Sequence, residues 1–471
     1  MKPSELSIDT RNYLLNRVFP KLISFLSLPI LLRLVNPRFW GEIALLVAIQ
    51  SLLTGLLSQG KDSSVERYFS RLSKKDATKY SWSYLAKTFF LFFLGLLIIE
   101  IAFRLKVVTF FDLPYGLPLR FALIGSLLLS HQRYLYSILR ASRKSKKVLK
   151  YTQSVALATP LMQVGAIYLI IYFRDFNDRM IVSGYFLGQI LILTITNVLI
   201  YIYVKKNTKE KETILELDTK NIRSYSNYAF LFIFFSTFIN WQDRYFIKYF
   251  MSEYDVGLYD AIYRYVDVLG VITGSFMIAL GPILFSKKNL SNRYFENIQD
   301  LIYLTFMLAA CGTYISSIAV GILLPESYSS AAYIVPVLAL GLAFGSCASL
   351  TTIIFDVKER KDLSVKAILF AAVINAALNI LLIPRYDILG AALSMLIACI
   401  FWFILILLFA HNFNFYMNKN ILNIALLISI IIIYFVFWEQ TLLYNLLSIV
   451  IFVALLYKCW RLIQRILQFS L

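Results

Sequence analysis

The sequence predicts an all-α polytopic membrane protein of about fourteen transmembrane helices, with two six-helix lobes in parallel repeat, two added C-terminal helices and a central cationic cavity. Three observations carry that expectation. Hydrophobic residues fill 59% of the 471 positions and charged ones only 15%, with a mean hydropathy of +0.70, far from the composition of a water-soluble globule. Apolar windows follow one another along the whole chain, and the cations between them alternate from dense to sparse. The roughly 278 apolar residues are what about fourteen crossings of ~20 residues need, which leaves no room for a sizeable soluble domain.

In the first half the windows fall at about 12–34, 41–60, 82–103, 117–139, 151–173 and 180–204. They continue at 223–248, 256–285, 295–324, 331–355, 363–384 and 388–410, and end with 420–438 and 441–460. The net charge is +19, and its placement sets the topology. With the N-terminus inside, the inner loops and tails hold 31 Lys and Arg, including Lys61, Arg140, Lys144 and Lys147, against nine outside. Removing one span would scramble that alternation, so an even count with both termini cytoplasmic is expected. The first window contains Arg17 and Lys21, so no cleavable signal peptide is expected. Residues 205–222 interleave Lys with Glu210, Glu212, Glu216 and Asp218 and read as a cytoplasmic linker. The expected divisions are an N-lobe at 1–204, the linker at 205–222, a C-lobe at 223–410 and the two added helices at 411–471.

Comparing the chain with itself gives a two-fold pattern. Asn12-Tyr13 followed by Gly41 matches Asn227-Tyr228 followed by Gly257, and Gly41 and Gly257 are 216 apart. The loop from Arg140 to Lys150 has a counterpart from Asp356 to Lys366 at the same offset. Six helices per half is even, so the halves would be related by an axis along the membrane normal, with a substrate path between them.

Several motifs are set aside. Gly55 to Lys61 fits the GxxxxGK part of a phosphate-binding loop, but Asp62 replaces the hydroxyl that would hold magnesium, and the segment ends a membrane helix. Cys311, Cys347, Cys399 and Cys459 are scattered through apolar runs and read as small core residues. Two histidines are too few for metal chemistry, and neither an ATP-hydrolysing pump nor nucleic-acid binding is supported. The outer loops are too short for the catalytic carboxylates of a membrane glycosyltransferase or polymerase.

Other segments carry a resemblance. Asp243-Arg244-Tyr245-Phe246-Ile247, followed by Tyr254-Asp255-Val256-Gly257-Leu258-Tyr259-Asp260-Ala261, resembles the seventh-to-eighth-helix signature of polysaccharide-export flippases. These belong to the multidrug/oligosaccharidyl-lipid/polysaccharide exporter superfamily. Ser137 to Ala141, Tyr328 to Ala332 before Pro336, and Asn375 to Pro384 continuing through Leu389-Gly390-Ala391-Ala392 fit the same pattern. The resemblance implies a two-lobe flippase that moves an isoprenoid-diphosphate-linked oligosaccharide across the bacterial inner membrane for O-antigen, capsule or exopolysaccharide synthesis. Membrane lipids and the polysaccharide polymerase machinery are the implied partners. A peptidoglycan-precursor flippase or a multidrug antiporter of the same superfamily stays open, although a drug exporter should favour acids in its cavity.

Of the 46 Lys and Arg, setting aside the 31 counted inside and the nine outside leaves six within the spans: Arg17, Lys21, Lys87, Arg133, Arg244 and Arg264. A charge near the bilayer centre costs about 2.5–3.5 kcal/mol on insertion scales, so these are the candidates for binding a diphosphate headgroup. Arg suits phosphate through paired planar donors and Lys through a point charge. The competing reading for Arg17, Lys21 and Lys87 is snorkelling to the interface. Asp243, Asp260 and Asp267 are gating or coupling candidates, and His131 could titrate beside Arg133. Asp260, Arg264 and Asp267 share one helix face, where the competing reading is a structural ion pair that neutralises Arg264 and orients the helix. No cofactor is expected, and proton or sodium coupling is left open.

Overall fold

The computed structural model describes residues 3–68, 74–104, 116–142, 144–173, 179–207, 219–267, 292–358, 360–413 and 415–416. The two expected C-terminal spans, the middle of the linker and the second half of the eighth span lie outside the described residues. Among the described residues the regular elements are helical and no strand occurs. They are α1 (Pro3–Leu34), α2 (Pro37–Ser58), α3 (Lys61–Tyr68), α4 (Lys74–Arg104), α5 (Leu117–Ala141), α6 (Ser145–Tyr172) and α7 (Arg179–Asn207). Then come α8 (Thr219–Phe250), α9 (253–267 as far as described), α10 (Asn292–Leu323), α11 (Glu326–Ser329), α12 (Val335–Thr351), α13 (Ile353–Val357) and α14 (Lys361–His411).

Local chemistry sets the ends. Asn36 caps α2 by accepting a 3.0 Å hydrogen bond from the Phe39 N–H, and Pro37 opens the first turn. The helix α1 starts at Pro3, well before the expected window at 12, and α4 starts at Lys74 rather than 82. Hydropathy marks the part of a helix that dissolves in lipid, and backbone hydrogen bonding runs on past it. As one rod, the 51 residues of α14 would span ~76 Å, more than twice the ~30 Å hydrocarbon layer. The rod is broken at Asp387 (φ 51, ψ −138), next to the expected boundary between windows 363–384 and 388–410.

Among the described residues, five helical segments are long and apolar enough to cross a bilayer: Pro37–Ser58, Ser145–Tyr172, Met180–Lys206, Ala332–Val357 and Lys361–His411. Their burial separates core from rim. The apolar window of α2 is 67% buried and that of α6 only 11%, with Leu161 and Tyr172 among its most exposed side chains. An apolar helix so little covered by protein is suited to face lipid tails.

The chain forms two compact units. One is residues 34–257, and the other is residues 1–33 together with 258–471. This grouping differs from the sequence halves: α1 belongs with the later residues and α8 with the earlier ones. In the 34–257 unit the interior is built from α2, α5, α7 and α8 around Trp40, Ile43, Leu45 and Leu46. In the other unit α12 packs on α14, and α1 meets α9 through an edge-on Phe25–Tyr265 pair at 5.1 Å.

The offset of 216 recurs in the coordinates. The bounds of α8 are those of α1 shifted by 216 at both ends. A Cβ added to Gly41 would fall 1.9 Å from the Glu253 carbonyl oxygen, and one added to Gly257 would fall 1.8 Å from that of Pro37. Pro37 and Glu253 are themselves 216 apart. The crossing therefore looks the same from either side, and only glycine permits so close a backbone approach at both positions.

Candidate functional site

The intramembrane charges sort into two kinds. In the unit of residues 1–33 and 258–471, Lys21 of α1 is ion-paired with Asp267 of α9, and their side chains remain 45% and 31% exposed. The Arg264 Nε donates to Asp260 at 2.6 Å across one turn of α9, with Asp260 fully buried. The expected stripe of Asp260, Arg264 and Asp267 is thus divided between an intrahelical pair and an interhelical one. Arg17 lies on α1 one turn before Lys21.

In the 34–257 unit Asp243 and Arg244 are completely buried on α8. Arg244 Nη1 donates to the Asn240 carbonyl at 2.6 Å, and its guanidinium lies 4.7 Å from the centroid of the Trp241 ring. Lys87 on α4 and Arg133 on α5 are exposed, and His131 is half-buried one step before Gln132. Near Arg133, Tyr84 and Tyr134 stack at 4.1 Å, and the Tyr84 hydroxyl is 2.8 Å from Ser130 Oγ. Asp62 and Arg133 both lie within electrostatic reach of Tyr84.

Neutral polar side chains form a seam between the helices of this unit. Gln50 Nε2 donates to Gln189 Oε1 at 3.1 Å, Gln132 Nε2 to Thr196 Oγ1 at 3.2 Å, and Asn197 Nδ2 to the Leu128 carbonyl at 2.9 Å. A Cβ at Gly125 would fall 2.0 Å from Gln50 Nε2, so α5 leaves room for that amide. Such bonds hold helices together where lipid offers no partner. Asn375 and Asn379 are buried on α14, where Asn379 Nδ2 donates to Asn375 Oδ1 at 3.4 Å across one turn of the same helix. Cys347 and Cys399 are buried and unbridged.

Sequence reasoning placed Lys61 only among the inner-loop cations. In the structure it opens α3 with Nζ 5.6 Å from the Tyr84 ring centroid. Burial first, and the neighbouring Lys87 ammonium second, bring its pKa down to about 8. The signal was present in the set-aside Gly60-Lys61 pair. Gly60 has φ +66, and a Cβ there would fall 2.2 Å from the Ser226 carbonyl, so the turn into α3 is fixed. Among the described residues no group of three or more His, Cys, Asp or Glu is arranged to hold a metal ion.

The model of the family described as "Polysaccharide biosynthesis protein" matches residues 11–288. An uncharacterized membrane protein of Methanocaldococcus jannaschii is 26% identical over 51% of this chain and 50% of its own length. Another, of Haemophilus influenzae, is 26% identical over 59% of this chain and 65% of its own length. The chain thus spans between half and two thirds of these relatives. Among solved structures, the lipid II flippase MurJ in an inward closed conformation has a TM-score of 0.67 at 15% identity, covering 98% of this chain and 99% of that one. An outward-facing multidrug resistance transporter of the MATE family has a TM-score of 0.60 at 15% identity, covering 88% and 98%.

Proposed function

Because the chain belongs to the polysaccharide biosynthesis protein family, with the fold of multi-pass flippases and transporters, we propose that it is a flippase. It carries an isoprenoid (undecaprenyl) diphosphate-linked oligosaccharide repeat unit across the bacterial inner membrane by alternating access, for surface polysaccharide synthesis. Both termini are cytoplasmic in this reading, and the polymerase machinery receives the product. The observation that carries it is the family match over more than half the chain, joined to exposed cations within apolar helices. Likeness at 15% identity bears on fold alone, so the lipid II named for MurJ is not transferred to this chain.

The site geometry divides the work. Lys87 and Arg133, both exposed within their helices, meet the diphosphate. The half-exposed Lys21–Asp267 pair is the coupling element, able to exchange its partner for a proton, sodium ion or substrate, and His131, two residues before Arg133 on α5, is a second coupling candidate. Arg264 with Asp260, and Arg244 beside Asp243, orient α9 and α8.

The test is genetic. Deletion should make lipid-linked repeat units accumulate on the cytoplasmic leaflet, and normal surface glycan in the deletion strain would overturn the reading. Arg133→Ala should lower export at unchanged expression. Arg264→Ala, which removes the ion pair to buried Asp260, should lower the amount of folded protein as well.

A further inference from the structure

Inside the 34–257 unit α4 and α5 are tied together towards one end, where Tyr84 stacks on Tyr134 at 4.1 Å and its hydroxyl lies 2.8 Å from Ser130 Oγ. At the other end the tie is electrostatic, with Arg120 Nη2 of α5 3.8 Å from Glu100 Oε2 of α4. Between the two ties a groove of about 720 Å³ runs along the surface of the unit. Its walls are apolar, with Phe93 and Leu97 from α4 and Leu119, Leu123 and Ile124 from α5, and Glu100 and Arg120 supply its charge. Phe93, Leu97 and Ile124 are 62%, 57% and 40% exposed, so the groove opens outward from the bundle.

Helices associate in a bilayer through close packing, and a groove between two of them forfeits that contact unless something fills it. In the hydrocarbon layer an acyl chain is the filler at hand. From Phe92 to Glu100 the axis of α4 rises ~12 Å, near the ~15 Å that one leaflet contributes to that layer. The charged end then selects the headgroup. At 3.8 Å the pair is longer than a hydrogen bond, and with side chains 66% and 48% exposed it adds little to stability, so both groups exchange partners easily. A phosphate takes paired donors from Arg120, and an ammonium group a few bonds away meets the Glu100 carboxylate. A headgroup with phosphate alone sets like charge beside Glu100, and a diphosphate sets more. Charge complementarity therefore favours a zwitterionic phospholipid over an anionic one and over an isoprenoid diphosphate.

We propose that the α4–α5 groove binds one phospholipid with an ethanolamine-type headgroup, its phosphate on Arg120, its ammonium on Glu100 and an acyl chain along Leu97 and Leu123. Arg120 is among the cations counted outside, so the lipid comes from the outer leaflet. Once seated, it braces α4 against α5 beyond the Tyr84–Tyr134 stack. The site is separate from the cations assigned to the cargo and does not depend on what the chain transports.

The full-length protein, purified in detergent, is titrated in turn with dioleoylphosphatidylethanolamine, dioleoylphosphatidylglycerol and farnesyl diphosphate, and bound lipid is counted by native mass spectrometry. The ethanolamine lipid should bind at least fivefold more tightly than the glycerol lipid and should raise the thermal midpoint. Leu97→Trp, which fills the groove from an exposed position, should weaken its binding at least tenfold, and Ile124→Trp, from the opposite wall, should do the same. Arg120→Gln should weaken it at least fivefold. Glu100→Gln should weaken the ethanolamine lipid and leave the glycerol lipid bound as tightly or more so, a change of preference that a purely structural ion pair would not produce. Lys146→Gln, at an exposed cation on α6, should stay within twofold of the parent. Equal affinity for the two phospholipids, or parent-like binding by the two groove-filling variants, overturns the proposal. Farnesyl diphosphate binding more tightly than the ethanolamine lipid, and lost in Leu97→Trp, overturns the zwitterionic occupant and gives the groove to an isoprenoid chain.

Discussion

In the unit of residues 1–33 and 258–471, the intramembrane cations Lys21 and Arg264 each meet a carboxylate, whereas in the 34–257 unit Lys87 and Arg133 are exposed and the helices are joined by amides and hydroxyls. The offset of 216 makes the contrast sharper. Shifted by it, Asp260 and Arg264 fall on Ala44 and Ala48, and Lys87 and Arg133 fall on Tyr303 and Ser349. The backbone plan is repeated but the charge is not. Paired charge fixes helices, and in the proposed reading the exposed cations are the ones that meet the cargo.

Four substitutions probe that contrast, beginning with the largest effect. Asp260→Leu leaves Arg264 without its buried partner and should cost about 3–5 kcal/mol, read as a fall in thermal midpoint, while the double change with Arg264→Leu should recover most of it. An unaltered midpoint in the single variant would mean that α9 does not depend on the pair. Lys21→Gln should cost under about 1 kcal/mol because the pair is half-exposed, yet it should reduce export strongly; the exchange of Lys21→Asp with Asp267→Lys should restore part of the transport. Gln132→Leu in the neutral seam should cost about 0.6 kcal/mol and leave transport intact, and a transport defect there would erase the distinction between the units.

The smallest effect has the opposite sign. Lys61 is lowered to about 8 in the folded protein against about 10.4 in an unfolded chain. The unfolded state therefore binds more protons between those values, and folding stability should rise with pH across that window. Lys61→Met should flatten that rise and increase the thermal midpoint slightly at pH 7. A lower midpoint in Lys61→Met would show that the ammonium is held for stability instead.

Much of the helical plan was legible because apolar length is written directly in the sequence. The windows at 117–139 and 180–204 lie within α5 and α7, and the break expected between 384 and 388 is found at Asp387. Partner choice was not legible. Asp267 is spaced to face Arg264, and only the packing of α1 on α9 gives it Lys21. Lys61 was hidden for a similar reason: hydropathy assigns it to a loop, and its position over Tyr84 follows from the turn at Gly60 and from α4 and α5, which are distant in sequence. The grouping of α1 with the later residues also depends on tertiary packing that a periodic pattern does not encode.

The Gly41–Gly257 crossing has the geometry of an isologous interface, in which one patch meets its own copy. Two separate chains, each carrying a single half, could build the same contact from one glycine and one carbonyl apiece. A bulky residue at either position would collide with backbone and not with a side chain that could move aside. The two sites are therefore bound to a common fate, and a mutation tolerated at one cannot be compensated by trimming the other.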